Sequence, residues 1–375
     1  MVVSGTNSGT FCKNFGSVIL SEVTGAVTVD YHLDYWGGED DFQESYSPDA
    51  DGIIRINDLG EVALAYFQEL GFDMPESYSE RLSVNYVVTL TATVLDAEGA
   101  ELGSFSQKFY YSNCRTSLEE PHKYKGFLNR HHRRKILPAQ MVPVAYFDQG
   151  QLLGIGVSYL KDGTDQWVEF QVPTVDGGGW LNCRNVGLEM VVAQLKEYAS
   201  LEVSADDVFY YIVFLKDDTG NLDAIQFDVD RTHYPSVSHF VYYNCFGVPD
   251  TLFFTGKDTR TAEMEATYAT IRRNYRKINT TLNIFHDVNT GYINRTLREC
   301  VEDLVNSTEV RLYDENGFGD AVTITEISLE ESRPRTEPIN VKLKYRLSTE
   351  CQWSVDRDMT IDYKIFDHTF GDTFE

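Results

Sequence analysis

A chain of 375 residues is too long for one ordinary core, and 58 acidic against 32 basic residues leave it a formal net charge of −26. A surface of that sign repels a phosphate backbone and an anionic membrane, which argues against general nucleic-acid binding and membrane insertion. Aromatic residues at 13% and sparse proline point to folded, β-rich structure rather than disorder.

Residues 1 to 10 are polar and lack the basic start and apolar run of a secretory signal. No apolar stretch approaches the roughly 18 residues that span a bilayer. The expectation is a protein folded in a cytoplasm, with Cys12, Cys114, Cys183, Cys245, Cys300 and Cys351 as reduced, partly buried thiols. They form no CxxC pair and no Cys/His zinc spacing.

In chain order, residues 26–36 and 81–96 alternate apolar and polar side chains as strands do, with Val84, Tyr86, Val88, Leu90 and Val94 on one face. Ala97 to Ala100 reads as a turn into a strand that ends at Cys114. Between these strands, Leu59, Val62, Ala63, Tyr66, Phe67 and Leu70 recur at helical spacing, with Asn57 or Asp58 to cap and Gly71 to terminate.

The order then repeats. Strands VPVAYF, LLGIGVSYL and WVEFQV precede a helix starting near Asn185, with Leu188, Val191, Val192 and Leu195 inward. A strand pair around a turn follows, then FVYYNC, ending at Cys245. FVYYNC matches the earlier FYYSNC at four of six positions, and the intervals from Asn57 to Cys114 and from Asn185 to Cys245 are nearly equal. A third copy, from Asn294 through Leu297, Val301, Leu304 and Val305 to Cys351, has its internal turn displaced.

The expected fold is mainly β, of β-sandwich-like repeated modules with one short helix each. The boundaries read as module 1 over 1–115, a basic linker over 116–140, module 2 over 141–247, a connector over 248–279 and module 3 over 280–375. The cysteines are expected to pack as small apolar side chains beneath the sheets.

One segment contrasts with the overall charge. Residues 122–135 carry Lys123, Lys125, Arg130, Arg133, Arg134 and Lys135, with His122, His131 and His132, and no acidic residue. They read either as an electrostatic docking strip for another acidic subunit, a copy of this chain included, or as a solvated linker. On the docking reading, charge reversal at Arg133 and Arg134 impairs assembly. Arg272, Arg273, Arg276 and Lys277 form a smaller basic patch of the same kind.

No catalytic, cofactor-binding or metal-binding residue is expected. His131 and His132 are adjacent and point apart on an extended chain. Asp49-Ala50-Asp51-Gly52 resembles the start of a calcium loop, but Gly60 stands where the closing acidic ligand belongs, so it reads as a turn. Val175 to Gly179 opens no phosphate loop. Paired carboxylates are too abundant in so acidic a chain to single out an acid and a base.

The stretch Asn244-Cys245-Phe246-Gly247-Val248-Pro249-Asp250-Thr251-Leu252, followed by Thr255-Gly256-Lys257, resembles a run shared by uncharacterised tail-region proteins of bacteriophages and prophages of gut Bacteroidota. Looser similarity extends over SPDADGIIRINDLGEVALAYF and VKLKYRL. The resemblance implies a virion tail or baseplate component, assembled in the bacterial host cytoplasm with copies of itself and other tail proteins. It implies no catalytic residue. In physical terms, Gly247 and Pro249 suit a tight strand exit and Gly256 a second turn. The competing class is a module that binds a host-surface glycan through aromatics, with Trp36, Tyr46, Trp180 and Tyr198 available.

Overall fold

The computed structural model describes residues 1–35, 38–69, 87–118, 120–129, 131–173, 181–271, 274–293, 297–314, 317–330 and 339–348. The chain is mainly β, in three modules that each carry one helix. Among the described residues no helix is long and apolar enough to cross a membrane. Trp36, Leu70, Gly71, Val84, Tyr86, Arg130, Val175 to Gly179, Trp180, Arg272, Arg273, Asn294 and Cys351 lie outside the described residues.

The first module runs β1 (Val2–Ser4), β2 (Thr10–Phe11), β3 (Val18–Ser21), β4 (Val27–Tyr35), β5 (Gly38–Tyr46), β6 (Ile54–Ile56), α1 (Leu59–Glu69), β7 (Val87–Leu95) and β8 (Glu101–Tyr110). Its large sheet has the order β2-β8-β7-β4-β5, with a small sheet β1-β3-β6 beside it. Alternation sets the faces: Val27, Val29, Tyr31 and Leu33 of β4 are buried, whereas Thr28, Asp30, His32 and Asp34 face outward. Leu59, Ala63 and Phe67 of α1 join the same core.

The second module repeats this plan except that β1 has no counterpart in it. It runs β9 (Arg133–Ile136), β10 (Pro143–Phe147), β11 (Leu152–Lys161), β12 (Thr164–Val172), β13 (Leu181–Asn185), α2 (Leu188–Ala199), β14 (Val208–Asp217) and β15 (Gly220–Val229). Its large sheet has the order β12-β11-β14-β15-β9, with β10 and β13 paired separately. The short leading strand joins in parallel in both cases, β2 to β8 and β9 to β15. Leu188, Val191 and Leu195 of α2 are buried, as their spacing predicts.

The third module is built differently. It comprises β16 (Ser238–Tyr243), β17 (Pro249–Phe254), β18 (Thr259–Ile271), β19 (Asn274–Ile293), α3 (Arg298–Asn306), β20 (Val310–Asp314), β21 (Gly317–Glu330) and β22 (Ile339–Leu347). These strands form one sheet in the order β17-β16-β20-β21-β22-β19-β18. Cys300, Val301 and Leu304 of α3 pack into its core with Phe240, Tyr242 and Tyr345.

Two expectations change. Residues 248–279 are not a connector but β17, β18 and the start of β19. The matched strands FYYSNC and FVYYNC are not equivalent, because β8 closes its own module's sheet whereas β16 opens the third module's sheet. The equivalent of β8 is β15, so the near-equal Cys intervals do not mark the structural repeat. The two segments meet instead, the Asn113 amide donating to the Cys245 carbonyl at 3.0 Å.

Two strands are buried on both sides. Val144 and Tyr146 of β10 enter the module 2 core while Ala145 and Phe147 enter the module 1 core. Val241 and Tyr243 of β16 likewise join module 1, and Phe240 and Tyr242 join module 3. Their unbroken apolar runs have this physical cause, since a strand with a core on each face has no solvent side.

Candidate functional site

The stretch from Asn244 to Asp250 lies where the three hydrophobic cores meet. The Asn244 side chain folds the chain back: its Oδ1 accepts from the amides of Phe246 at 2.9 Å and Val248 at 3.4 Å, while its Nδ2 donates to the Leu128 carbonyl at 3.1 Å. Phe246 reaches module 1, with its ring centroid 5.2 Å from that of Phe11. Gly247 has φ +68°, and a Cβ there would lie 2.5 Å from the Tyr111 ring, so a bare backbone is required twice over. Pro249 opens β17, and its carbonyl accepts from Asn129 Nδ2 at 3.0 Å.

Asp250 meets the basic segment here. Arg134 Nη2 donates to Asp250 Oδ2 at 2.9 Å, a second bond joins Nη1 to Oδ1, and the two side chains are 6% and 1% exposed. Burial alone would lower the guanidinium pKa, but the Asp250 carboxylate beside it outweighs burial and raises it above its ordinary value. Arg134 Nη2 also lies 3.8 Å from Cys300 Sγ on α3, so a cation does approach a cysteine, across modules rather than along the chain. Burial still pushes Cys300 up to about 12, and Cys12 likewise, which keeps both thiols protonated and inert at neutral pH.

The remaining residues of the basic segment are largely committed within the chain. Lys123 pairs with Glu120 at 2.9 Å, Lys125 with Asp217 at 2.9 Å, Arg133 with Asp228 at 2.6 Å and Lys135 with Asp230 at 3.6 Å. The segment is therefore not a free linker: Arg133 to Ile136 form β9, and Asp217 and Asp228, which face Lys125 and Arg133, belong to the β14–β15 hairpin of module 2. Arg134 is removed from any external docking surface by its burial. His131 and His132 do not converge, and His132 Nδ1 lies 3.3 Å from Asp223.

A cavity of about 110 Å³ opens between β9, β17 and α3, lined by Arg134, Lys135, Asp230, Tyr234, Thr251 and Cys300 among others. Asp230 already accepts from the Thr232 amide at 2.9 Å and the Tyr234 hydroxyl at 2.8 Å. Burial would raise its pKa, but these donors and Lys135 hold it below the usual carboxylate value. The charged groups facing this cavity thus carry structural pairings. Buried His239, bonded to Thr251, is pushed down to about 3 by desolvation and is neutral. Asp49 makes the turn its sequence suggests, accepting at Oδ1 from Asp51 and Ile53.

Two surface features stand out. The first is the outer face of the module 2 sheet, where Trp167, Ser158 and Tyr210 align across three strands. The Trp167 ring lies over Gly156, with Nε1 donating to Glu169 at 3.0 Å, and the residue is 45% exposed. The equivalent face of module 1 carries Asp30, His32, Thr91 and Thr93. Of the aromatics named from sequence, Tyr46 is tied to Tyr31 and Glu44, and Tyr198 is exposed on α2. Trp167 was not among them, although its alternation with Glu169 and Gln171 on a polar face was the available signal.

The second is the β18–β19 hairpin. β19 pairs with β22 only from His286 to Ile293. From Thr261↔Phe285 to Ile271↔Asn274, among the described residues, the two strands pair only with each other. At about 3.3 Å per residue this ribbon projects about 35 Å. Ala262, Met264, Ala266, Leu282 and Ile284 share one face, and Met264 and Tyr268 are 54% and 43% exposed. Lys344 braces the base, 3.2 Å from Glu263 and 4.3 Å from the Phe285 ring.

No family model matches this chain, and no curated protein matches it.

Proposed function

We propose that the chain is a structural subunit of a virion tail or baseplate that assembles with copies of itself and with other tail proteins. The observation that carries this reading is the projecting β18–β19 ribbon. An isolated two-stranded hairpin is marginal in water, and one with an apolar face is stabilised by laying that face on a partner. The polar interlock of the modules supports the same role, because a rigid body transmits the position of its arm. The resemblance around Asn244 to Lys257 supplies the setting.

Light scattering coupled to gel filtration, followed by electron microscopy of the purified chain, tests the proposal. The full chain is expected to form discrete oligomers. A chain with residues 264–281 replaced by a two-residue turn is expected to be folded and monomeric. A full chain that stays monomeric at tens of micromolar counts against the reading.

The half-exposed Trp167 favours a second reading, recognition of a surface glycan. An exposed aromatic ring held by the Glu169 carboxylate suits stacking on a sugar ring. Trp167→Ala would then abolish binding to a glycan array and leave oligomerisation intact.

A further inference from the structure

Arg276 and Lys277 make the far part of the described ladder basic. From Tyr268 to Asn279 the sequence holds Arg272, Arg273, Arg276 and Lys277 and no acidic residue. Arg276 sits opposite Ala269 and Lys277 opposite Tyr268 at the far end of the ladder. Lys277 Nζ lies 3.0 Å from the neutral sulfur of Met264, which leaves its charge uncompensated, and among the described residues no carboxylate pairs with it. The basic segment around Arg133 differs in just this respect, its cations being matched by carboxylates of the same chain.

The complementary surface is β5. It is the edge strand of the module 1 sheet, paired among the described residues only with β4, and it exposes Glu39, Asp40, Asp41 and Glu44 beside Asp30 and Asp34. His32 lies among these groups, its Nδ1 2.8 Å from Asp41, and the hydrogen bond to Asp41 raises its pKa. Asp40 also accepts from the Tyr66 hydroxyl, Asp30 from Gln43 and Glu44 from Tyr46. Asp30, Asp34, Glu39 and Asp41 share the face of His32, and Asp40 and Glu44 lie on the other face of the same edge, which makes the edge strongly negative.

We propose that the basic tip of the ribbon docks on the acidic β5 edge of a second copy of this chain. This rests on the self-assembly reading above and names its contact. The ribbon's length lets the tip reach beyond its own sheet, and the opposite charges favour the encounter while like-charged faces repel other approaches. The contact joins two different patches, so it closes either reciprocally in a dimer or head to tail in a ring.

The test is a charge swap read by light scattering and sedimentation. Arg276→Glu with Lys277→Glu is expected to weaken association by about tenfold or more, and so is Glu39→Lys with Asp41→Lys. Combining all four changes is expected to restore most of it, and raising salt from 50 mM to 500 mM is expected to weaken the native contact. Circular dichroism on each variant checks that the modules stay folded. If the chain oligomerises but neither pair of changes alters it, the docking site is wrong while the assembly reading stands. A native monomer whose ribbon is protected from hydrogen exchange would place a segment of the same chain on it and overturn both.

Discussion

Arg134 on β9 and Asp250 on β17 form a two-bond ion pair sealed between the second and third modules. A buried pair of this kind contributes little net stability over apolar replacements, but removing one partner strands a charge in a dry site. Asp250→Asn or Arg134→Met alone is therefore expected to cost about 3–5 kcal/mol in urea unfolding. Arg134→Met with Asp250→Leu is expected to cost less than either single change. Single changes worth under about 1 kcal/mol would show that the pair is not the lock.

The neighbouring pair gives the contrast. Arg133 is 71% exposed where it meets Asp228, so solvent screens the attraction. Arg133→Ala is expected to leave the urea midpoint essentially unchanged. Charge reversal at Arg134 would impair assembly by unfolding the joint, whereas reversal at Arg133 would leave the fold intact, a distinction that thermal melts of the two variants read directly.

Gly247 and Gly99 separate backbone strain from crowding. Both have positive φ, +68° and +82°, but a Cβ at Gly99 meets nothing within 4 Å whereas at Gly247 it meets Tyr111. Gly99→Ala is expected to cost about 1 kcal/mol, and Gly247→Ala clearly more. Equal losses in denaturant titrations would contradict the close packing of the joint.

His239 makes stability depend on pH. Its folded pKa is lowered from 6.5 to about 3, so between those values the unfolded chain binds the extra proton and stability rises with pH. Stability is thus expected to fall as pH drops below about 6.5, by up to about 1.4 kcal/mol per unit, until protonation of the folded state near 3. His239→Gln is expected to flatten the slope between pH 7 and pH 5 in urea titrations. An unchanged slope would assign the acid sensitivity elsewhere.

Much of the architecture is legible in local pattern. The period-two alternation of residues 26–35 gives β4 its buried Val27, Val29, Tyr31 and Leu33, and the helical spacing of Leu188, Val191 and Leu195 places α2. Turn residues acted where expected, Asp49 accepting from the amides that follow it and Gly247 taking a positive φ at the strand exit. Such features depend on neighbours a few residues away, so the sequence displays them. FYYSNC and FVYYNC end at the same joint without occupying the same place in a module, a distinction set by strand pairing and absent from the strings themselves.

What the sequence by itself determined, then, is the β-rich composition, the principal strand alternation and helices, the tight turn at Asn244 to Pro249 and the acidic surface with its two basic patches. Only the tertiary structure decided that the patch around Arg133 is committed to carboxylates of its own chain. Arg133, Arg134 and Lys135 meet carboxylates far along the chain, on β15, on β17 and just after β15, whereas Lys277 stands on a ribbon that, among the described residues, pairs with no third strand. Charge in a sequence records sign and position; whether it is neutralised depends on which distant strands the hydrophobic cores bring alongside, and no local window contains that information.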